Sequence, residues 1–75
     1  MGAGVPVLSP QEVIRRLKLL GFFELRQKGS HIRFAHADGR KTTVPMHKGY
    51  DIDPRLLRLI CKEISLTVEE FLAGT

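Results

Sequence analysis

Residues 22–45 read FFELRQKGSHIRFAHADGRKTTVP, and the period of this stretch decides the fold. Phe23 and Leu25 alternate with Glu24 and Arg26, and further on Ile32 and Phe34 alternate with His31 and Arg33. A period of two is that of a half-buried strand. Lys28-Gly29 supplies a turn between two such strands. Asp38-Gly39 predicts a second hairpin with a tight primed turn, because such turns need positive φ. Lys41 to Pro45 gives a third strand in which Thr42 and Val44 share a face; Pro45 cannot donate to a ladder and so ends the strand or marks it as an edge. Strand parity places Phe23, Leu25, Ile32, Phe34, Thr42 and Val44 on an apolar face. It leaves Glu24, Arg26, His31, Arg33, Ala35, Lys41 and Thr43 on the other.

Outward from this stretch the period becomes helical. Upstream, Ser9-Pro10-Gln11-Glu12 is a helix start: Ser9 caps, Pro10 occupies the first turn where a missing N–H costs nothing, and Glu12 closes the box. Val13, Ile14, Leu17 and Leu20 follow at helical spacing up to Gly21, which predicts a helix over 10–20. Downstream, Met46 to Ile52 has no period and reads as a loop. Asp53-Pro54 then repeats the cap-plus-proline device ahead of Leu56, Leu57, Leu59, Ile60 and Ile64, for a helix over 54–63. Thr67-Val68-Glu69-Glu70 is another capping box, and Phe71 and Leu72 give a short last helix its apolar side. The order is αβββα with an extra helix. It predicts an α+β, two-layer fold with the helices on one face of a three-stranded antiparallel sheet and the other face open. Residues 1–75 form one domain, with 1–7 frayed.

The chain has 75 residues, a length at which only about 60% of the unfolded surface is buried, so deep clefts are not expected. An apolar fraction of 43% is enough for a core and excludes a disordered tail. Net charge is +4, unevenly spread. Arg15, Arg16, Lys18, Arg26, Lys28, Arg33, Arg40, Lys41 and Lys48 face only Glu24 and Asp38 in the segment 15–48, whereas acids outnumber bases elsewhere. That pattern is either a solvated face or a surface for a polyanion such as nucleic acid. The single cysteine, Cys61, makes neither an internal disulfide nor a zinc site and reads as a small buried residue on a helix. No apolar run is long enough for a signal peptide or membrane span, so a cytoplasmic location is expected.

His31, His36 and His47 are the residue type suited to proton transfer near neutrality. His31 stands in Lys28-Gly29-Ser30-His31, with a glycine turn and a hydroxyl before it and basic side chains on both flanks. Such a group could hold a phosphodiester and move a proton on it, or be a surface strand histidine with no task. His36 beside the hairpin tip reads as a spectator, and His47 lies in the loop after the third strand. No carboxylate pair falls on the basic face, and no cluster has metal-ligand spacing. Neither a metal nor a cofactor is expected.

Leu17 through Gly21-Phe22, then Gln27-Lys28-Gly29-Ser30-His31, Phe34, Thr43-Val44-Pro45-Met46-His47, Leu56 with Ile60, and Glu69-Glu70-Phe71-Leu72 together resemble the HicA family of type II toxin–antitoxin toxins, also called YcfA-like proteins. The likeness runs from Ser9 to Leu72. It implies a fold like that of double-stranded-RNA-binding domains and a toxin that cleaves messenger RNA and blocks translation. It also implies a HicB-like antitoxin that covers the active site. Under it His31 is catalytic, Gly29 and Ser30 shape its pocket, and Ser30 and His47 are candidate helpers. RNA is expected on the basic face at Arg26, Lys28, Gly29, Arg33, Lys41 and Lys48, with His31 acting on the 2′-hydroxyl without a metal. Two other readings stay open on the residues alone: a non-catalytic double-stranded-RNA module, short of the usual span of about 16 base pairs, and a regulatory protein-interaction domain.

Overall fold

The structure, a computed structural model, describes residues 4–47 and 49–73. Lys48, predicted as an RNA contact, and Met1–Ala3 of the expected frayed terminus lie outside them. The elements run α1 (Pro10–Leu19), β1 (Phe23–Lys28), β2 (His31–Ala35), β3 (Lys41–Pro45), α2 (Pro54–Glu63) and α3 (Val68–Ala73). The sheet is antiparallel in the order β1-β2-β3, with the helices layered on one side.

Each helix begins as its sequence dictates. The Ser9 hydroxyl accepts from the Glu12 N–H at 3.1 Å and the Asp53 carboxylate from the Leu56 N–H at 2.8 Å. Thr67 and Glu70 exchange side-chain-to-backbone bonds of 2.8 and 3.0 Å. These bonds satisfy amides that the helix itself cannot. Both long helices end in the same way. After α1, Gly21 (φ +96°) donates to the Lys18 carbonyl and Phe22 to that of Leu17. After α2, Ser65 (φ +61°) donates to Lys62 and Leu66 to Cys61. This is the paired Schellman closure, normally built on glycine at the left-handed position; in α2 a serine occupies it.

The core is continuous across both layers. Val13 and Leu17 of α1, Leu57, Ile60 and Cys61 of α2, and Phe71 of α3 close on Ile32, Phe34 and Val44 of the sheet. Phe34 is fully buried, which contributes about 1.5–3 kcal/mol. Thr42 is the buried polar residue on this side, and its hydroxyl donates to the Glu63 carboxylate at 2.7 Å. Arg40 donates to the carbonyl of Ile64 just past α2 and lies over the Phe22 ring at 5.1 Å. Val5 packs partly against the core, and Leu8 bridges Ile52. Leu59, one of the apolar residues of α2, is half exposed.

Three details of the sheet depart from the alternation in the sequence. Glu24 pairs with Phe34 but Arg26 pairs with Arg33, so Leu25 is an extra residue, a β-bulge. A bulge resets parity. Phe23, opposite Ala35, therefore falls on the open face, while Glu24 falls on the helix side. Secondly, α1 and α2 pack against β3, Ile32 and Phe34 of β2 join the same core, and β1 is exposed along its whole length. Phe23 and Leu25, expected in the core, are each 49% exposed. Thirdly, the β2–β3 turn is not a two-residue primed turn. His36 N–H donates to the Arg40 carbonyl at 2.9 Å around Ala37-Asp38-Gly39, and only Gly39 has positive φ. That is the three-residue loop closed by a left-handed glycine.

A cationic sheet face with two histidines

The open face is built from rows of paired residues. Lys28, His31 and Pro45 form one row, Arg26, Arg33 and Thr43 the next, and Phe23, Ala35 and Lys41 the third. Gly29 and Ser30 are the two loop residues between Lys28 and His31. Gly29 has φ +59° with open space where a Cβ would stand, so it serves the turn rather than a close approach. The tight turn makes His31 the first residue of β2, exposed at the end of the sheet.

His47 arrives from the other edge. The Met46 N–H donates to the Ser30 carbonyl, which extends the β3 contact beyond Pro45 and brings the next residue alongside the turn. The rings of His31 and His47 stand edge to face with centroids 5.7 Å apart. The Ser30 hydroxyl is 3.4 Å from His47 Nε2, a long hydrogen bond. Tyr50 then stands edge to face on His47 at 6.2 Å. Beside His31, a shallow depression of about 130 Å³ is lined by Arg26, Lys28, His31, Arg33 and Thr43.

Pairing narrows the basic surface. Arg15 and Arg16 both bind the Glu12 carboxylate on α1, with shortest contacts of 2.6 Å, and Arg16 also donates to the Leu72 carbonyl at 2.8 Å. Arg40 is held by Asp38 at 2.8 Å. The hydrogen bonds from Arg15 hold the Glu12 carboxyl below its ordinary pKa, and those from the backbone and side chain of Arg40 do the same for Asp38. Among the described residues Arg26, Lys28, Arg33 and Lys41 have no carboxylate within ion-pair distance, and all four are exposed on the open face.

The structure thus brings His31, Ser30, His47, Arg26, Lys28 and Arg33 together, with Gly29 at the turn. Lys41 lies on the same face two rows from His31. His36 is apart from them: its ring packs edge-on against Phe22 at 5.0 Å and its Nδ1 accepts from the Asp38 N–H at 3.1 Å, a framework role. Thr43 and Tyr50 were not among the expected site residues. Tyr50 carried one signal in the sequence, being the sole tyrosine and lying in a loop without apolar period. Among the described residues no group of three or more His, Cys, Asp or Glu could hold a metal ion, and no helix is long and apolar enough to cross a membrane.

Fold and face together define a small α+β protein that presents a pair of histidines on an uncompensated cationic sheet surface. The family model for the HicA toxin of bacterial toxin–antitoxin systems matches residues 10–66, and the chain belongs to that family. The match takes in α1, the whole sheet, both site histidines and α2. A search of curated protein sequences found no match. As a HicA-family toxin domain, the chain is one half of a toxin–antitoxin pair.

Proposed function

We propose that this toxin is a metal-independent endoribonuclease that cleaves messenger RNA, with His31 as general base and His47 as general acid. The observation that carries the reading is the pair of exposed imidazoles 5.7 Å apart beside a depression walled by Arg26, Lys28 and Arg33. Two imidazoles beside one phosphodiester can take up a proton and give one back. His31 removes the 2′-hydroxyl proton; the 2′-oxygen attacks the adjacent phosphorus; the 5′-oxygen leaves with a proton from His47. The products are a 2′,3′-cyclic phosphate and a free 5′-hydroxyl. Arg26, Lys28 and Arg33 stabilise charge on the phosphoryl oxygens, Lys41 extends the track for the strand, and Ser30 positions the His47 ring. A HicB-like antitoxin would silence the enzyme by covering this face.

The test is incubation of the purified protein with mixed-sequence RNA in EDTA, beside His31→Ala and His47→Ala, with fragment ends identified. Wild-type cleavage leaving 5′-hydroxyl ends, abolished in His31→Ala and reduced in His47→Ala, is the expected result. A 5′-phosphate end, or full activity in His31→Ala, overturns the mechanism.

A further inference from the structure

The depression beside His31 is not the largest concavity on the molecule. On the far side of His47 lies a cavity of about 410 Å³, within the size range of small-molecule clefts. Its walls are Pro10 and Gln11 at the start of α1 and the loop carrying Met46, His47, Tyr50 and Asp51. Apart from His47, none of these residues has a part in the cleavage mechanism.

Resting on the ribonuclease reading, we propose that the cavity is a nucleobase subsite. The base neighbouring the scissile phosphodiester of a single-stranded RNA stacks on Tyr50, and Gln11 and Asp51 meet its polar edge.

Three observations carry the assignment. Tyr50 is 73% exposed although it touches His47, so most of its ring is open for contact; unstacked bases are taken up on such rings. His47 contacts both the His31 ring and the Tyr50 ring, with centroids 5.7 and 6.2 Å away, and His47 and Tyr50 both line the cavity, so the cavity adjoins the reacting position. The lining mixes apolar surface from Pro10 and Met46 with the amide of Gln11 and the carboxylate of Asp51, the combination that suits a flat heterocycle with donors and acceptors on its rim. A base in a duplex is stacked on both faces and cannot enter. The subsite therefore selects single strands and confers a preference at one position beside the cut.

The composition supplies a probe. Tyr50 is the sole tyrosine and the chain has no tryptophan, so intrinsic emission reports this ring alone. A 2′-O-methyl oligoribonucleotide, which cannot be cleaved through its 2′-oxygen, is titrated into the full chain as a single strand and as a duplex. Free tyrosinamide corrects for absorption by the RNA, and anisotropy of a labelled strand measures binding independently. Saturable quenching by the single strand and none by the duplex is expected. Tyr50→Leu should weaken single-strand affinity on the order of 5- to 150-fold, the range for loss of one base–aromatic stack, and Tyr50→Phe should preserve it. If the single strand binds by anisotropy while emission is unchanged and Tyr50→Leu binds as well as wild type, the subsite is overturned and the ribonuclease reading stands. If no RNA binds by either measure, both fall.

Discussion

Replacing Arg33 with alanine tests how the protein holds its substrate. Arg26, Lys28, Arg33 and Lys41 are exposed on one face with no carboxylate at ion-pair distance among the described residues, so each is available to neutralise a phosphate. Binding to a single strand then releases counterions, with a slope of log K on log salt of about −0.7 per phosphate and about −2.8 for four contacts. Between roughly 50 and 200 mM salt this amounts to about a 50-fold loss of affinity. Arg33→Ala removes one contact and brings the slope to about −2.1, a loss of roughly 20-fold over the same range. Arg15→Ala supplies the contrast, because Arg15 is already bound to Glu12 on α1; its slope should match the parent. The assay is anisotropy of a labelled oligoribonucleotide in a His31→Ala background, which prevents cleavage during the titration. A parent slope near zero, or equal shifts for Arg33→Ala and Arg15→Ala, would refute the argument that unpaired cations on the sheet face hold the strand.

Two further outcomes concern the frame. Ser65 holds a left-handed conformation (φ +61°) at the end of α2, which costs a side-chain-bearing residue about 1–2 kcal/mol, while glycine costs roughly 0.4–1 kcal/mol in unfolded-state entropy. Ser65→Gly should therefore stabilise the fold by about 0.5–1 kcal/mol in urea titrations, and a loss of stability would contradict the Schellman reading. Burial pushes the Cys61 thiol up to about 11 from an ordinary 9.0, so the folded state holds its proton more tightly than the unfolded chain. The stability this confers is complete below pH 9 and is lost between pH 9 and 11, on the order of 2–3 kcal/mol. Urea titrations at pH 8 and 10.5 should show a smaller decline in Cys61→Ala than in wild type, and equal declines would remove the thiol from the account.

How much of this was legible in the sequence depended on how far apart the interacting groups lie along the chain. The caps at Ser9, Asp53 and Thr67 join residues three apart, so composition and spacing alone place the helix starts. The Gly29 turn and the strand periods of Ile32, Phe34, Thr42 and Val44 are local in the same sense, and they were enough to give the αβββα order and the basic parity of the open face. The segment Gly29-Ser30-His31, with His47 downstream, likewise marked the candidate site.

Tertiary structure decided whatever depended on a partner distant in sequence. Leu25 is a bulge only because β2 offers one residue fewer on that side, and the bulge turns Phe23 to the open face, where it is exposed; alternation within β1 carries neither fact. The charge count of residues 15–48 treated nine cations alike, whereas Glu12 and Asp38 neutralise Arg15, Arg16 and Arg40, and among the described residues the four cations of the sheet face stand without a carboxylate partner. The meeting of His31 with His47 depends on the backbone bond between Met46 and Ser30, and the cavity exists only where Tyr50 and Asp51 come against the start of α1. A local hydrogen bond is written in spacing, because few backbone angles lie between its partners. A contact across many residues is fixed only when the whole core has closed, since the entropy of bringing such groups together is met by packing elsewhere.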